Sequence, residues 1–335
     1  MHYIGSKYKL SSWLYSEIQD VVGQDISHKI FCDMFAGTGV VGQTFKESVA
    51  SVIANDLEYY SYIINKNALE NNLTCKQKCS TYIDTLNTLP LRDDGFIYNH
   101  YCLGSGSQRQ YFSDTNGKKI DTVRMQIEQW LKEGEIEESL YFFLLASLLE
   151  SADKVANTTS VYGAFLKHLK KTAQQELVIE GAYFSNKEKT HKVYNKDANE
   201  LIYEIEGDIL YLDPPYKHRQ YSANYHILNT ISRYEPFQPQ GKTGLPLYNR
   251  SQYCDKNSVV ESFEELIANA RFEYIFLSYN NEGLMSKEEV QKVMQKYGKY
   301  TLRTKEYQRF KADNNKNRNH KADKTYEYLH VLEKQ

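Results

Sequence analysis

The chain has 335 residues, of which 41% are hydrophobic and 25% charged, and carries a formal net charge of −2. That length suits one large domain with an insertion, or two domains, and the near-neutral charge excludes a uniformly basic protein that draws in nucleic acid by bulk attraction. No apolar run nears the ~20 residues that span a bilayer, the first residues lack a signal-peptide core, and the five cysteines (Cys32, Cys75, Cys79, Cys102 and Cys254) form no metal-type pairs, so a cytoplasmic protein without metal or membrane is expected.

In chain order, Gly5-Ser6-Lys7 opens a helix predicted over Leu10–Ile18, with Ser6 a candidate cap. Lys29-Ile30-Phe31-Cys32-Asp33-Met34-Phe35 reads as a buried strand. It feeds Ala36-Gly37-Thr38-Gly39-Val40-Val41-Gly42, where glycines let the backbone approach a ligand at a helix start. Ser51–Asp56 is a second strand that ends in an acid, Asp56, 19 positions beyond Gly37. An acid at that place accepts hydrogen bonds from ribose hydroxyls. A third strand, from Lys192, ends at Asp197, which either meets an adenine amino group or caps the next helix.

Between these strands, roughly 79–187, the strand–helix rhythm stops. A Gly/Ser/Gln-rich stretch ending in Arg109 and Gln110 precedes an amphipathic piece at Met125–Trp130 and an apolar helix at Leu140–Leu149. The polar run Asp153–Gly163, together with Arg109 and Gln110, is expected to present side chains to a DNA groove. Lys167, Lys170 and Lys171 suit backbone phosphates.

The most informative segment is Ile209-Leu210-Tyr211-Leu212-Asp213-Pro214-Pro215-Tyr216, an apolar strand running into a stiff polar loop. The amino group of a nucleobase is a weak nucleophile because its lone pair is delocalised into the ring. The Asp213 carboxylate and the Pro214 carbonyl can each accept one amino hydrogen and so localise that pair. Two prolines fix φ and remove N–H groups, and the Tyr216 ring can stack on the base. Downstream, Tyr274–Asn280 and Glu327–Leu332 read as strands, and a strand at Thr301–Tyr307 makes a C-terminal hairpin beside the site. Between the last two strands, Thr301–Lys324 holds eight Lys/Arg against three acids, Lys316, Arg318 and Lys321 among them, and is expected to meet phosphates.

A nucleotide-type pocket followed by an amine-orienting tetrad points to S-adenosylmethionine as cofactor. Gly37, Gly39 and Gly42 also spell G-x-G-x-x-G, the dinucleotide fingerprint, but an NAD enzyme needs an acid/base pair facing the hydride, and the tetrad supplies none.

With these motifs the chain resembles the Dam-like (alpha-type) adenine-specific DNA methyltransferases, in which cofactor motifs, target-recognition region and Asp-Pro-Pro-Tyr loop follow in that order. The resemblance implies cofactor contacts from Tyr3, Lys7, Asp33, Phe35, Gly37, Gly39 and Asp56, with Lys7 near the methionine carboxylate or the mouth of the active site; Asp197 joins them from its strand-end position alone. The resemblance also implies catalysis by Asp213, Pro214, Pro215 and Tyr216. DNA contacts are expected from Arg109 of the insertion, from His218, Arg219 and Tyr221 after the tetrad, and from Lys316, Arg318 and Lys321 of the basic stretch. The segment His218–His226 is similar to methylases of FokI-type restriction systems. The expected fold is α/β, a Rossmann-like S-adenosylmethionine-dependent methyltransferase sheet formed by 1–78 and 188–335, with a mainly helical target-recognition insertion at 79–187. The expected partners are double-stranded DNA and a cognate restriction endonuclease. The expected activity is methylation of a flipped adenine, with neither metal nor covalent nucleophile required. Methylation of RNA or of protein glutamine is the nearest alternative, since an amide presents a similar amine. A catalytically dead DNA-binding module is a further one, against which the intact tetrad argues.

Overall fold

The computed structural model describes residues 7–71, 73, 76–185, 189–248, 250–308 and 324–335. The chain divides into two compact units. The first takes the described residues of Ser6–Leu57, Lys189–Gln220 and Arg250–Gln335, and the second those of Glu58–Glu188 and Tyr221–Asn249.

The first unit is built on seven strands: β1 (Ile30–Asp33), β2 (Ser51–Asn55), β3 (Lys192–Tyr194), β4 (Glu206–Leu212), β5 (Arg271–Asn280), β6 (Gly298–Gln308) and β7 (Lys324–Lys334). They lie in the order β3-β2-β1-β4-β5-β7-β6. Strands β1 to β5 are parallel, Cys32 of β1 standing opposite Ile53 on one side and Leu210 on the other. The last strand, β7, is antiparallel to both β5 and β6. The sequence dictates the central position of β1 and β4. Phe31, Cys32, Ile209, Leu210 and Tyr211 have no exposed surface, as expected of strands covered on both faces, which read as continuous apolar runs. Helices Val259–Asn269 and Lys287–Met294 supply part of that cover. Their Phe263, Leu266, Val290 and Met294 share one apolar cluster with Leu210, Ile275 and Leu277. The second of these helices starts on a capping box, Ser286 and Glu289 each bonding the other's backbone.

The second unit is helical. Its longest members are Lys76–Thr88, Asp114–Lys132 and Glu138–Val155. The amphipathic and apolar stretches expected at 125–130 and 140–149 lie inside the last two, and Leu140 through Leu149 is buried throughout. Ser113 caps Asp114–Lys132 by accepting the N–H of Asn116. Arg124 is buried on this helix, and its guanidinium donates to the carbonyls of Ile231 and Ser232 at 3.1 Å each.

In the polar run after the apolar helix, Asn157 and Thr158 turn inward while Lys154 and Thr159 are exposed. Asn157 is fully buried, donates to the carbonyls of Gln110 and Leu166, and accepts the N–H of Lys170 at 3.0 Å. Lys170 in turn donates to the Thr158 carbonyl at 2.7 Å. Chain without regular structure has no ladder of its own, so its backbone groups take side chains as partners. Arg109 is engaged in the same way, its guanidinium donating to the carbonyls of His100 and Gly241 at 3.2 and 3.0 Å.

Candidate active site

Strand order in the first unit reverses at β1. The chain moves outward from β1 through β2 to β3, then returns to place β4 on the other side of β1. The loops that leave the carboxyl ends of β1 and β4 therefore open a crevice, the position at which parallel α/β sheets bind ligands. Both carry residues expected from the sequence.

The loop after β1 begins at Asp33, whose Cα stands opposite Tyr211 of β4. Gly37 and Gly39 hold φ values of +53° and +76°, left-handed conformations that only glycine adopts without strain. The N–H of Gly37 donates to the Asp56 carboxylate at 2.7 Å, so the acid at the end of β2 fixes the turn that follows β1. Asp33 accepts the N–H of Gly42 at 3.1 Å through Oδ2. Its Oδ1 is buried and has no hydrogen-bond partner among the described residues. Burial raises this carboxyl to about 8, and Asp213 and Asp56 add to the rise.

Buried Asn55 ties the loops together. Its amide donates to the carbonyls of Met34 and Lys196, and its oxygen accepts the N–H of Lys196 at 3.1 Å. Asn195 donates to the carbonyls of Asp56 and Leu57 at 2.8 and 2.9 Å. Asp197 caps the helix Ala198–Leu201, its carboxylate accepting the N–H of Asn199 at 2.8 Å. Of its two sequence readings, this geometry is the capping one. Phe35 lies edge-on to Tyr253, ring centroids 5.0 Å apart.

The loop after β4 presents Asp213 with a side chain 17% exposed and the Lys7 ammonium 3.1 Å from its Oδ1. Lys7 also reaches Glu327 of β7 at 2.8 Å. Burial alone would lower the Lys7 pKa, but the two carboxylates outweigh it and hold it well above its ordinary value. Burial raises Asp213 to about 6; Lys7 opposes that rise and Glu327 reinforces it. Pro214 is buried, while Pro215 and Tyr216 are half-buried. The Tyr216 ring meets Tyr279 edge-on at 6.5 Å, with the Lys217 ammonium 5.8 Å from its centroid. His218 and Arg219 are exposed. Gln220 closes the loop by exchanging hydrogen bonds with the backbone of Ser251.

The sheet thus brings Lys7, Asp33, Phe35, Gly37, Gly39, Asp56, Asp197 and the tetrad to one edge of one unit. Tyr221 belongs to the helical unit, where its ring stacks on Tyr225 at 6.0 Å. Tyr3, Lys316, Arg318 and Lys321 lie outside the described residues. Two buried residues at the site, Ser278 and Glu327, drew no site role from the sequence. A signal existed for each: a serine follows the apolar run of β5, and an acid sits between two tyrosines, Tyr326 and Tyr328, in the middle part of β7.

The profile of the D12 class N6 adenine-specific DNA methyltransferases matches residues 3–294. The chain belongs to this family. It is 60% identical over 336 residues to the type II methyltransferase M.NlaIII of Neisseria lactamica, covering 100% of this chain and 99% of that protein. It is 39% identical to M.CviAII of Paramecium bursaria Chlorella virus 1, over 92% of each chain. It is 35% identical to M.FokI of Planomicrobium okeanokoites over 100% of this chain but 53% of that relative, so it spans about half the length of that protein. The chain is an adenine-specific DNA methyltransferase with DNA as its substrate, and among the described residues no helix is long and apolar enough to cross a membrane.

Proposed function

We propose that this chain transfers the methyl group of S-adenosylmethionine to the N6 amine of an adenine turned out of duplex DNA, at one sequence, as the modification arm of a cytoplasmic restriction-modification system with a cognate endonuclease. One observation carries the reading. The glycine turn and the Asp-Pro-Pro-Tyr loop leave neighbouring parallel strands at the same edge of the sheet, with Asp33 opposite Tyr211 and Asp213 two residues further on. The relatives' names, type II methyltransferases and modification methylases, support the biological setting.

The residues present fit the cofactor. Asp56 at the end of β2 suits ribose hydroxyls, and the buried, unpartnered Oδ1 of Asp33 suits a cationic amine. Phe35 supplies an apolar wall. When bound, S-adenosylmethionine provides a methyl group made electrophilic by its sulfonium. Everything else is the work of the chain. Extruding the adenine costs a few kcal/mol of stacking and pairing, which Tyr216 offsets in part by stacking on the base. The carboxylate of Asp213 and the carbonyl of Pro214 accept the two amino hydrogens, aim the nitrogen lone pair and stabilise the positive charge that grows on it. Positioning then lowers the barrier, because the donor is already activated. We assign target reading to the helical unit, including 79–187, with DNA contacts from Arg109, His218, Arg219 and Tyr221 and phosphate contacts from Lys316, Arg318 and Lys321.

Offering DNA, RNA and protein to the purified chain with methyl-labelled cofactor tests the reading. Label is expected in DNA alone, and methylation-sensitive sequencing is expected to locate it at adenines of one short sequence. Label in RNA or protein would overturn the substrate assignment.

A further inference from the structure

Three charged side chains meet beneath the tetrad, and only one of them belongs to it. Glu327 lies on β7 with 1% of its surface exposed. Burying a carboxylate is costly unless charges and hydrogen bonds surround it, and this one has two donors on a single oxygen. The Lys7 ammonium donates to Oε1 at 2.8 Å and the Ser278 hydroxyl donates to the same atom at 2.5 Å. Ser278 itself is fully buried on β5. Lys7 is then divided between two acids, Glu327 at 2.8 Å and Asp213 at 3.1 Å.

We infer that Glu327, held by Ser278, is a positioning residue for methyl transfer: it takes up part of the Lys7 charge, so that the Asp213 carboxylate keeps its capacity to accept the hydrogens of the target amine. The inference rests on the role proposed for Asp213. With Asp213 as its only counter-ion, the Lys7 ammonium would compete directly with the substrate for the same oxygen lone pairs. A second carboxylate draws it away and holds its nitrogen in place. The cluster then carries two negative charges against one positive, which makes Asp213 more basic than a simple Lys–Asp pair would be. The remaining groups facing the cluster are consistent with this. Tyr211 on β4 and Asp33 at the end of β1 both interact with Asp213. Lys305, across the ladder from Glu327, has its ammonium over the Trp13 ring at 5.4 Å rather than on the acid.

The test is the dependence of kcat and KM on pH for the wild type and for Glu327→Gln, Glu327→Asp, Ser278→Ala and Asp213→Asn. Asp213 must be ionised to accept hydrogen bonds from the amine, so wild-type kcat/KM, which reports the free enzyme, is expected to rise with pH through about 6. Glu327→Gln removes a negative charge that raises Asp213. Its acid limb is expected to move to lower pH by about one unit, while the plateau kcat falls about tenfold and KM for either substrate changes by less than about twofold. Glu327→Asp keeps the charge and is expected to keep the native acid limb. Ser278→Ala is expected to move the limb the same way by a smaller amount.

A variant that is merely less stable loses activity without lowering the acid limb. A native profile in Glu327→Gln would overturn the inference. Should that variant fail to fold, an unmoved limb in Ser278→Ala would do so. Asp213→Asn separates the two ideas. If it methylates at the native rate, the role of Asp213 itself falls. If it is dead while Glu327→Gln behaves as wild type, only the inference falls.

Discussion

Asp213 and Asn157 are both polar residues just beyond the end of a regular element, and they use their hydrogen-bonding atoms in opposite ways. Asn157 follows a helix of the helical unit, has no exposed surface, and bonds Gln110, Leu166 and Lys170 with its amide. It holds together chain that has no ladder. Asp213 follows β4, keeps part of its surface, and meets a single ammonium that it shares with a second acid. A polar group with every partner in place shapes the fold, whereas one left partly unmet at a strand end can meet a ligand.

The substitutions that sharpen this contrast differ in what they damage. Asp213→Ala is expected to cost at least ~10²-fold in kcat, as loss of one preorganised polar partner does at other sites, while calorimetry finds the cofactor bound nearly as before. Parallel loss of activity and cofactor affinity would place Asp213 on the donor instead of the amine. Asp56→Ala is expected to weaken S-adenosylmethionine binding by about 1.5–3 kcal/mol, the range for hydrogen bonds to a charged group. An unchanged calorimetric affinity would leave Asp56 as no more than the anchor of the Gly37 turn.

Asn157→Ala is expected to do the reverse, lowering the free energy of unfolding by about 1–3 kcal/mol because two carbonyls and an N–H lose their partner. Denaturant titration reads that loss, and cofactor affinity should not move. A specific drop in DNA affinity at native stability would restore Asn157 to a reading role. The smallest effect is expected from Tyr216→Phe, which keeps the ring. Stacking is worth ~1–3 kcal/mol per base, so Tyr216→Ala loses most activity while Tyr216→Phe retains it. Equal loss in the two variants would make the hydroxyl, not the ring, the important part.

The same contrast governs how much could be read from the sequence. The central strands stood out because strands covered on both faces are apolar runs, and Asp33, Asp56 and Asp213 each close or directly follow such a run. The residues after a strand were therefore legible as site candidates from local pattern alone. Arg109, Asn157 and Lys170 were not legible in the same way. A polar residue in a loop looks alike whether it faces DNA or a carbonyl, and only long-range packing chooses. Arg109 donates to Gly241, which is 132 positions away. Glu327 was hidden for the same reason, since its partner Lys7 lies 320 positions upstream.

That separation has a consequence for the making of the enzyme. A ribosome adding about 5–20 residues per second needs roughly a quarter of a minute to a minute to travel from Lys7 to Glu327. Over roughly the last 45 residues of that stretch, about 2–9 seconds at the same rate, the growing chain has β5 without β7, the strand that later pairs with it from Tyr274 to Asn280. An unpaired sheet edge of that kind invites other strands. Glu327, the second counter-ion of Lys7, arrives on the same strand that covers the edge. Closure of the sheet and completion of the charge cluster are thus a single late event in synthesis, and the nascent chain carries the tetrad for some time before its buried support exists.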